Sequence, residues 1–183
     1  LIIVVLALCG TLVSLQQTLV LPLLPDFPEI LDTSTDNASW LVTITLLTGA
    51  VGTPIVSRLA DMFGKRLMLV ACLVSVIVGS AIGALSDSLA LVILARGLTG
   101  IGTCLVPVGI SIMRDHLPSD RVGSGVALMS ATLGIGGAVG MPLAGVIYQN
   151  FDWQMLFVVS GGFAVIMLAL VLRVVPESTV KTR

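Results

Sequence analysis

Ser57-Arg-Leu-Ala-Asp-Met-Phe-Gly-Lys-Arg66 is a short polar stretch set between two apolar runs, 39–56 and 67–85. Each run approaches the roughly 20 residues that an α-helix needs to cross the hydrocarbon core of a bilayer. A stretch rich in Arg58, Lys65 and Arg66 between two such runs reads as a turn between membrane helices, on the side where cations collect. Gly64 can adopt the left-handed backbone that a tight turn needs. Asp61 is placed to meet basic neighbours or the N-terminus of a helix.

The same pattern extends in both directions. Six apolar segments are long enough to span, at about 2–24, 39–56, 67–85, 89–113, 122–148 and 155–174. Only helices suit runs of this length, because a membrane barrel is written as short alternating strands. The predicted fold class is therefore an all-α membrane protein, a single bundle of six transmembrane helices with no second domain. Composition agrees. Hydrophobic residues make up 56% of the 183, charged residues 10%, and mean hydropathy is +1.12. A soluble domain carries roughly 25% charged residues, so a chain this apolar could not cover its own surface in water. No basic run suggests nucleic acid. Cys9, Cys72 and Cys104 lie inside apolar runs without metal-ligand spacing, so neither metal, cofactor nor disulfide is expected. The sequence begins inside an apolar run and without Met, and the expectation is a piece of a longer chain.

The connecting segments give a direction. Of nine Lys and Arg, all but Arg96 lie after the second or fourth run or at and beyond the end of the sixth: Arg58, Lys65, Arg66, Arg114, Arg121, Arg173, Lys181 and Arg183. The other connections are acidic, with Asp26, Glu29, Asp32 and Asp36, then Asp87, then Asp152. The positive-inside rule places the basic connections and both chain ends in the cytoplasm. The expected location is a cell inner (plasma) membrane, crossed many times. Ser86-Asp-Ser88 reads as the tightest connection. The stretch 25–37, with Pro25 and Pro28, has room for a short surface turn.

Arg96 is the sharpest single signal. It lies about seven residues into the fourth run, or ~10 Å from its outer end at 1.5 Å per residue. An ionisable group at that depth is costly and marks function by default, although Arg can snorkel. Thr99, Gly100, Thr103, Pro107 and Ser111 follow it at steps of three or four, a polar stripe suited to the wall of a water-filled cavity. The first run carries Thr11, Ser14, Gln17 and Thr18, with Gln16 beside them. These could bind a ligand or join helices, and Pro22 and Pro25 should disrupt the outer end. Small-residue stripes in the third run (Cys72, Ser75, Gly79, Gly83, Ser86) and the fifth (Gly136, Gly140, Ala144) suit close helix packing.

With these residues in place, the chain resembles the major facilitator superfamily. Leu59, Ala60, Asp61, Gly64, Lys65 and Arg66 match its Gly-x-Leu-Ala-Asp-Arg-x-Gly-Arg-Lys loop, with Ser57 and Met62 departing from it. Arg96-Gly-Leu-Thr-Gly-Ile-Gly102 resembles the helix-four motif Arg-x-x-Gln-Gly-x-Gly, with Thr99 in place of Gln. Gly136, Gly140, Pro142 and Gly145 resemble the helix-five antiporter motif, with Met141 inserted before Pro142. Asp152-Trp-Gln-Met-Leu-Phe157 and Pro176-Glu-Ser178 are similar to the two ends of helix six in drug-exporting members.

The resemblance implies the N-terminal half of a facilitator fold, a 3+3 inverted repeat whose site forms against a C-terminal half. It implies a gating role for Leu59, Asp61, Gly64, Lys65 and Arg66. Arg96 would serve proton coupling, with Thr99, Thr103, Gln16, Gln17, Ser14 and Thr18 about the cavity. The implied partners are lipid, the C-terminal half, a small organic substrate and protons. The implied function is proton-coupled export of drugs or small organic molecules by alternating access. A metabolite importer and a non-transporting membrane scaffold or sensor are the alternatives. A membrane enzyme is disfavoured, since His116, the one histidine, falls in a basic connection with no nucleophile at membrane depth. One departure matters: drug exporters of this kind often carry Asp where Gln16 stands in Leu15-Gln-Gln-Thr18, and no Asp or Glu lies mid-run anywhere in the chain.

Overall fold

A computed structural model describes residues 1–177, which are helical almost throughout. Lys181 and Arg183, used above to orient the chain, and Ser178 lie outside the described residues. Eight α-helices follow in order: α1 (Ile2–Thr18), α2 (Phe27–Ile30), α3 (Thr35–Phe63), α4 (Lys65–Leu85), α5 (Leu89–Gly100), α6 (Leu105–His116), α7 (Ser119–Asn150) and α8 (Met155–Val174). They make six candidate spans: Ile2–Leu23, Thr35–Phe63, Lys65–Leu85, Leu89–His116, Ser119–Asn150 and Met155–Val174.

Local chemistry explains most boundaries, and several differ from the sequence reading. The first α-helix stops at Thr18, and a 3₁₀ turn at Leu21–Leu23 carries Pro22. Proline is tolerated in a first turn but not in a helix interior. The second span is longer than 39–56. Its N-cap, Ser34, accepts from the Asn37 amide at 3.2 Å, with Asp36 in the first turn. It runs on to Phe63, so Arg58 and Asp61 are helical rather than in a loop. The connection shrinks to Gly64, with φ 120°, and that single residue, not 86–88, is the tightest turn. The stretch 25–37 does hold a short helix, α2.

The fourth span is not one α-helix. A 3₁₀ segment, Ile101–Cys104, divides it into α5 and α6. It ends where Leu117, extended before Pro118, cannot continue. The fifth span runs unbroken through Pro142.

The packing of the six spans has an internal pairing. The first span packs on the fifth as the fourth packs on the second. The first meets the sixth as the fourth meets the third, and the third and sixth meet each other, as do the first and fourth. Exchanging spans 1–3 with 4–6 leaves this scheme unchanged, as a 3+3 repeat requires. The second and fifth spans are the least covered.

The core forms two apolar clusters. One holds Leu6, Leu12, Leu69, Leu73, Leu105, Met113 and Val171 at the basic end. The other holds Leu19, Phe27, Leu41, Val92, Phe157 and Ile147 at the acidic end. Gln16, Thr45, Ser80, Arg96, Thr99 and Ser160 are buried. Along the chain they fall where one cluster gives way to the other. Lipid offers no hydrophobic reason for helices to associate, so close packing and hydrogen bonds across this layer hold the spans together.

Candidate functional site

Arg96 sits in the polar layer, 3% exposed. It does not snorkel. Its Nε donates to the Leu41 carbonyl at 3.4 Å and its Nη1 to the Gln16 carbonyl at 3.2 Å. Both acceptors are backbone groups. Gln16 returns a bond, its Nε2 donating to the Thr99 carbonyl at 2.7 Å. Thr45 Oγ1 donates to the carbonyls of Leu41 and Arg96. The first, second and fourth spans are thus tied around one guanidinium. Among the described residues it has no carboxylate partner. A cation at bilayer depth costs about 2.5–3.5 kcal/mol even on insertion scales, and neutral carbonyls offset only part of that.

Two cavities meet Arg96. One is small, about 10 Å³, and is shared with Gln16, Thr99 and Ser160. Gln16 Oε1 and Ser160 Oγ are buried there without a hydrogen-bond partner. That volume is about one water site. The other is about 180 Å³ and lies between the first, second and fourth spans. Gln17, Thr18 and Leu21 of the first span and Val42, Thr45 and Leu46 of the second line it with Arg96.

The remaining stripe residues divide. Thr99 is buried and donates to the Arg96 carbonyl at 3.1 Å. Gly100 and Thr103 pack against the second span. A Cβ on Gly100 would strike Thr48 and the Thr45 backbone, and one on Gly49 would come within 2.5 Å of Thr103 Oγ1. Pro107 and Ser111 instead face a separate cavity of about 220 Å³ at the basic end, with Asp61 and Arg114.

In the first span, Thr11 and Ser14 bond to a neighbouring helix, and Thr18 both packs on one and lines the cavity. Thr11 and Ser14 donate to carbonyls of Thr132 and Leu133 in the fifth span, Ser14 at 2.5 Å. Thr18 lies against Gly140, and Gly136 against Thr11 and Ser14. These residues join helices, and Gly136 and Gly140 admit them. Gly145 has open space about it. Gln16, Gln17 and Thr18 reach a cavity; Ser14 and Thr103 line neither cavity at Arg96.

At the basic end, Asp61 is exposed. It makes no ion pair among the described residues, contrary to its expected role beside basic groups. The pairing is made instead by Lys65, 7% exposed, whose Nζ lies 2.6 Å from Asp115 Oδ2. Arg114-Asp115-His116 reads in the sequence as a solvated end, and only the position of Asp115 on the span beside Lys65 gives it a role. Arg66 Nη2 donates to the Leu172 carbonyl at 2.7 Å, drawing the third span to the sixth. The Glu177 carboxylate covers Gly64.

Residues 6–183 match the family model described as Major Facilitator Superfamily. The chain belongs to the major facilitator superfamily. Multidrug resistance protein fnx1 of Schizosaccharomyces pombe is 33% identical over 175 residues, which are 91% of this chain and 32% of that protein. Multidrug resistance protein 3 of Bacillus subtilis is 25% identical over 146 residues, 79% of this chain and 28% of that protein. The inward-open xylose transporter XylE from E. coli has the same fold, with a TM-score of 0.85 at 17% identity over 97% of this chain and 48% of that one. The chain therefore spans about half a facilitator structure and about a third of these two relatives, and its fold is a six-helix half of the facilitator fold. It is a multi-pass membrane protein of a transporter family.

Proposed function

We propose that the chain is the N-terminal half of a proton-coupled exporter of drugs or other small organic molecules, working by alternating access against a C-terminal half. The observation that carries this reading is Arg96, a buried cation with neutral ligands that borders a cavity between the first, second and fourth spans. Multidrug proteins among the relatives favour export. In this reading Arg96 and Gln16 hold the coupling machinery, and Gln17 and Thr18 face the cargo. The stretch 59–66 and its Lys65–Asp115 pair gate the basic end. That end and both termini face the cytoplasm of an inner (plasma) membrane. Ser14, Thr103, Gly136 and Gly140 serve as the close contacts on which the spans move, and Pro142 and Gly145 follow on the same helix.

The test uses the full-length transporter in everted membrane vesicles with an imposed proton gradient. Export predicts that substrate addition dissipates the gradient and that a protonophore abolishes substrate uptake. Uptake that persists after the gradient is collapsed would sink proton coupling.

A further inference from the structure

We propose that the cargo is an amphiphilic organic anion, one acidic group on an apolar body, and that Arg96 and Gln17 recognise its charged end. The inference rests on the transport reading and names its substrate class.

The cavity's donors are few. Thr45 Oγ1 is engaged by the Leu41 and Arg96 carbonyls, and Thr18 Oγ1 by those of Ser14 and Leu15. Arg96 Nε and Nη1 are engaged by Leu41 and Gln16. Arg96 Nη2 and the Gln17 amide make no hydrogen bond among the described residues, and both residues line the 180 Å³ cavity. The rest of the lining includes apolar Leu21, Val42 and Leu46.

Charge decides the class. Two carbonyls fix the guanidinium in place, and no carboxylate among the described residues compensates its charge. Asp and Glu of the chain lie toward the ends of the spans or between them, and Gln16 and Gln17 occupy the depth of Arg96. In a low-dielectric site, like charges repel strongly and opposite charges attract strongly. A cationic cargo would meet a fixed cation with no acid among the described residues at that depth to offset it. A neutral cargo would leave the cation unpaired. A carboxylate or sulfonate would accept from Arg96 Nη2 and the Gln17 amide together, a charge-assisted geometry suited to arginine. Its apolar body would lie against Leu21, Val42 and Leu46.

The experiment reconstitutes the full-length transporter in proteoliposomes and compares anilinonaphthalene sulfonate with tetraphenylphosphonium. The anion is expected to be transported and the cation not. Gln17→Glu, which sets a carboxylate beside Arg96 and keeps the guanidinium, is expected to weaken apparent affinity for the anion roughly tenfold or more. Arg96→Lys, which keeps the charge but loses Nη2, is expected to weaken anion transport and leave part of it. Transport of tetraphenylphosphonium without the sulfonate would overturn the anion assignment and leave the transport reading standing. Unchanged affinity for the sulfonate in Gln17→Glu would overturn the assignment of the site. Transport of neither probe by a folded, correctly inserted protein would overturn both readings.

Discussion

Arg96 was visible in the sequence because a single cation inside an apolar run has few bland explanations. Its ligands were not visible. Nothing in residues 15–18 says that the Gln16 carbonyl, rather than its side chain, accepts from the guanidinium. Nothing in the second span marks the Leu41 carbonyl as the other acceptor. Backbone acceptors carry no sequence signature, so a site built on them is legible only by its charge. Ser160 was missed for a related reason: a lone Ser in an apolar helix usually bonds within its own turn, whereas here its hydroxyl faces Gln16 and Arg96 across a void of about one water. Ser160→Ala removes an unpartnered buried hydroxyl. It is expected to leave thermal stability unchanged or raise it by up to ~1 kcal/mol, measured by unfolding in detergent. A large loss would show that the hydroxyl is bonded through a water.

At the scale of helices, the small residues explain themselves only in pairs. The sequence shows Gly136 and Gly140 as a stripe but not what fills the space they leave. Thr11, Ser14 and Thr18 of the first span fill it, and Thr48 with Gly100 repeats the device between the second and fourth. Gly140→Leu forces a side chain into Thr18 and is expected to destabilise the bundle by roughly 1–3 kcal/mol, seen as a lower unfolding midpoint. The same change at Gly145, which meets nothing within 4 Å, is expected to be near neutral. The 57–66 stretch holds a turn, but a shorter one than its polar residues suggest. Polar residues suggested a loop, but helix propensity carries the chain to Phe63 and leaves Gly64 to turn alone. Asp61, the conspicuous acid, stands exposed while Asp115 takes Lys65. Asp115→Asn leaves a largely buried ammonium short of its counter-charge. It is expected to cost about 2 kcal/mol or more, and Asp61→Asn to cost little; equal losses in the same unfolding measurement would contradict the pairing.

For the whole molecule, the six crossings followed from hydropathy alone, but the arrangement of the spans did not. The correspondence of their main contacts under exchange of spans 1–3 and 4–6 becomes apparent only in three dimensions. It also identifies what is uncovered. Leu47 and Val51 on the second span and Ile135 and Val139 on the fifth are exposed apolar groups. In the full-length transporter these should meet the C-terminal half, while Val74 of the third span and Val165 of the sixth face lipid. Single cysteines at Val51 and Val139 are expected to react several-fold more slowly with a lipid-phase thiol reagent than those at Val74 and Val165. Equal rates at all four positions would place the partner half elsewhere.

The central claim is that the buried, acid-free Arg96 is the working group of this half, and its direct test is proton-driven substrate flux through the full-length transporter. Wild type, Arg96→Lys and Arg96→Gln would be compared at matched levels of inserted protein. Flux is expected to fall at least ~30-fold in Arg96→Gln, about the effect of losing one buried charged contact of 2–5 kcal/mol, and to survive in part in Arg96→Lys. Wild-type flux in a stably inserted Arg96→Gln protein would contradict it.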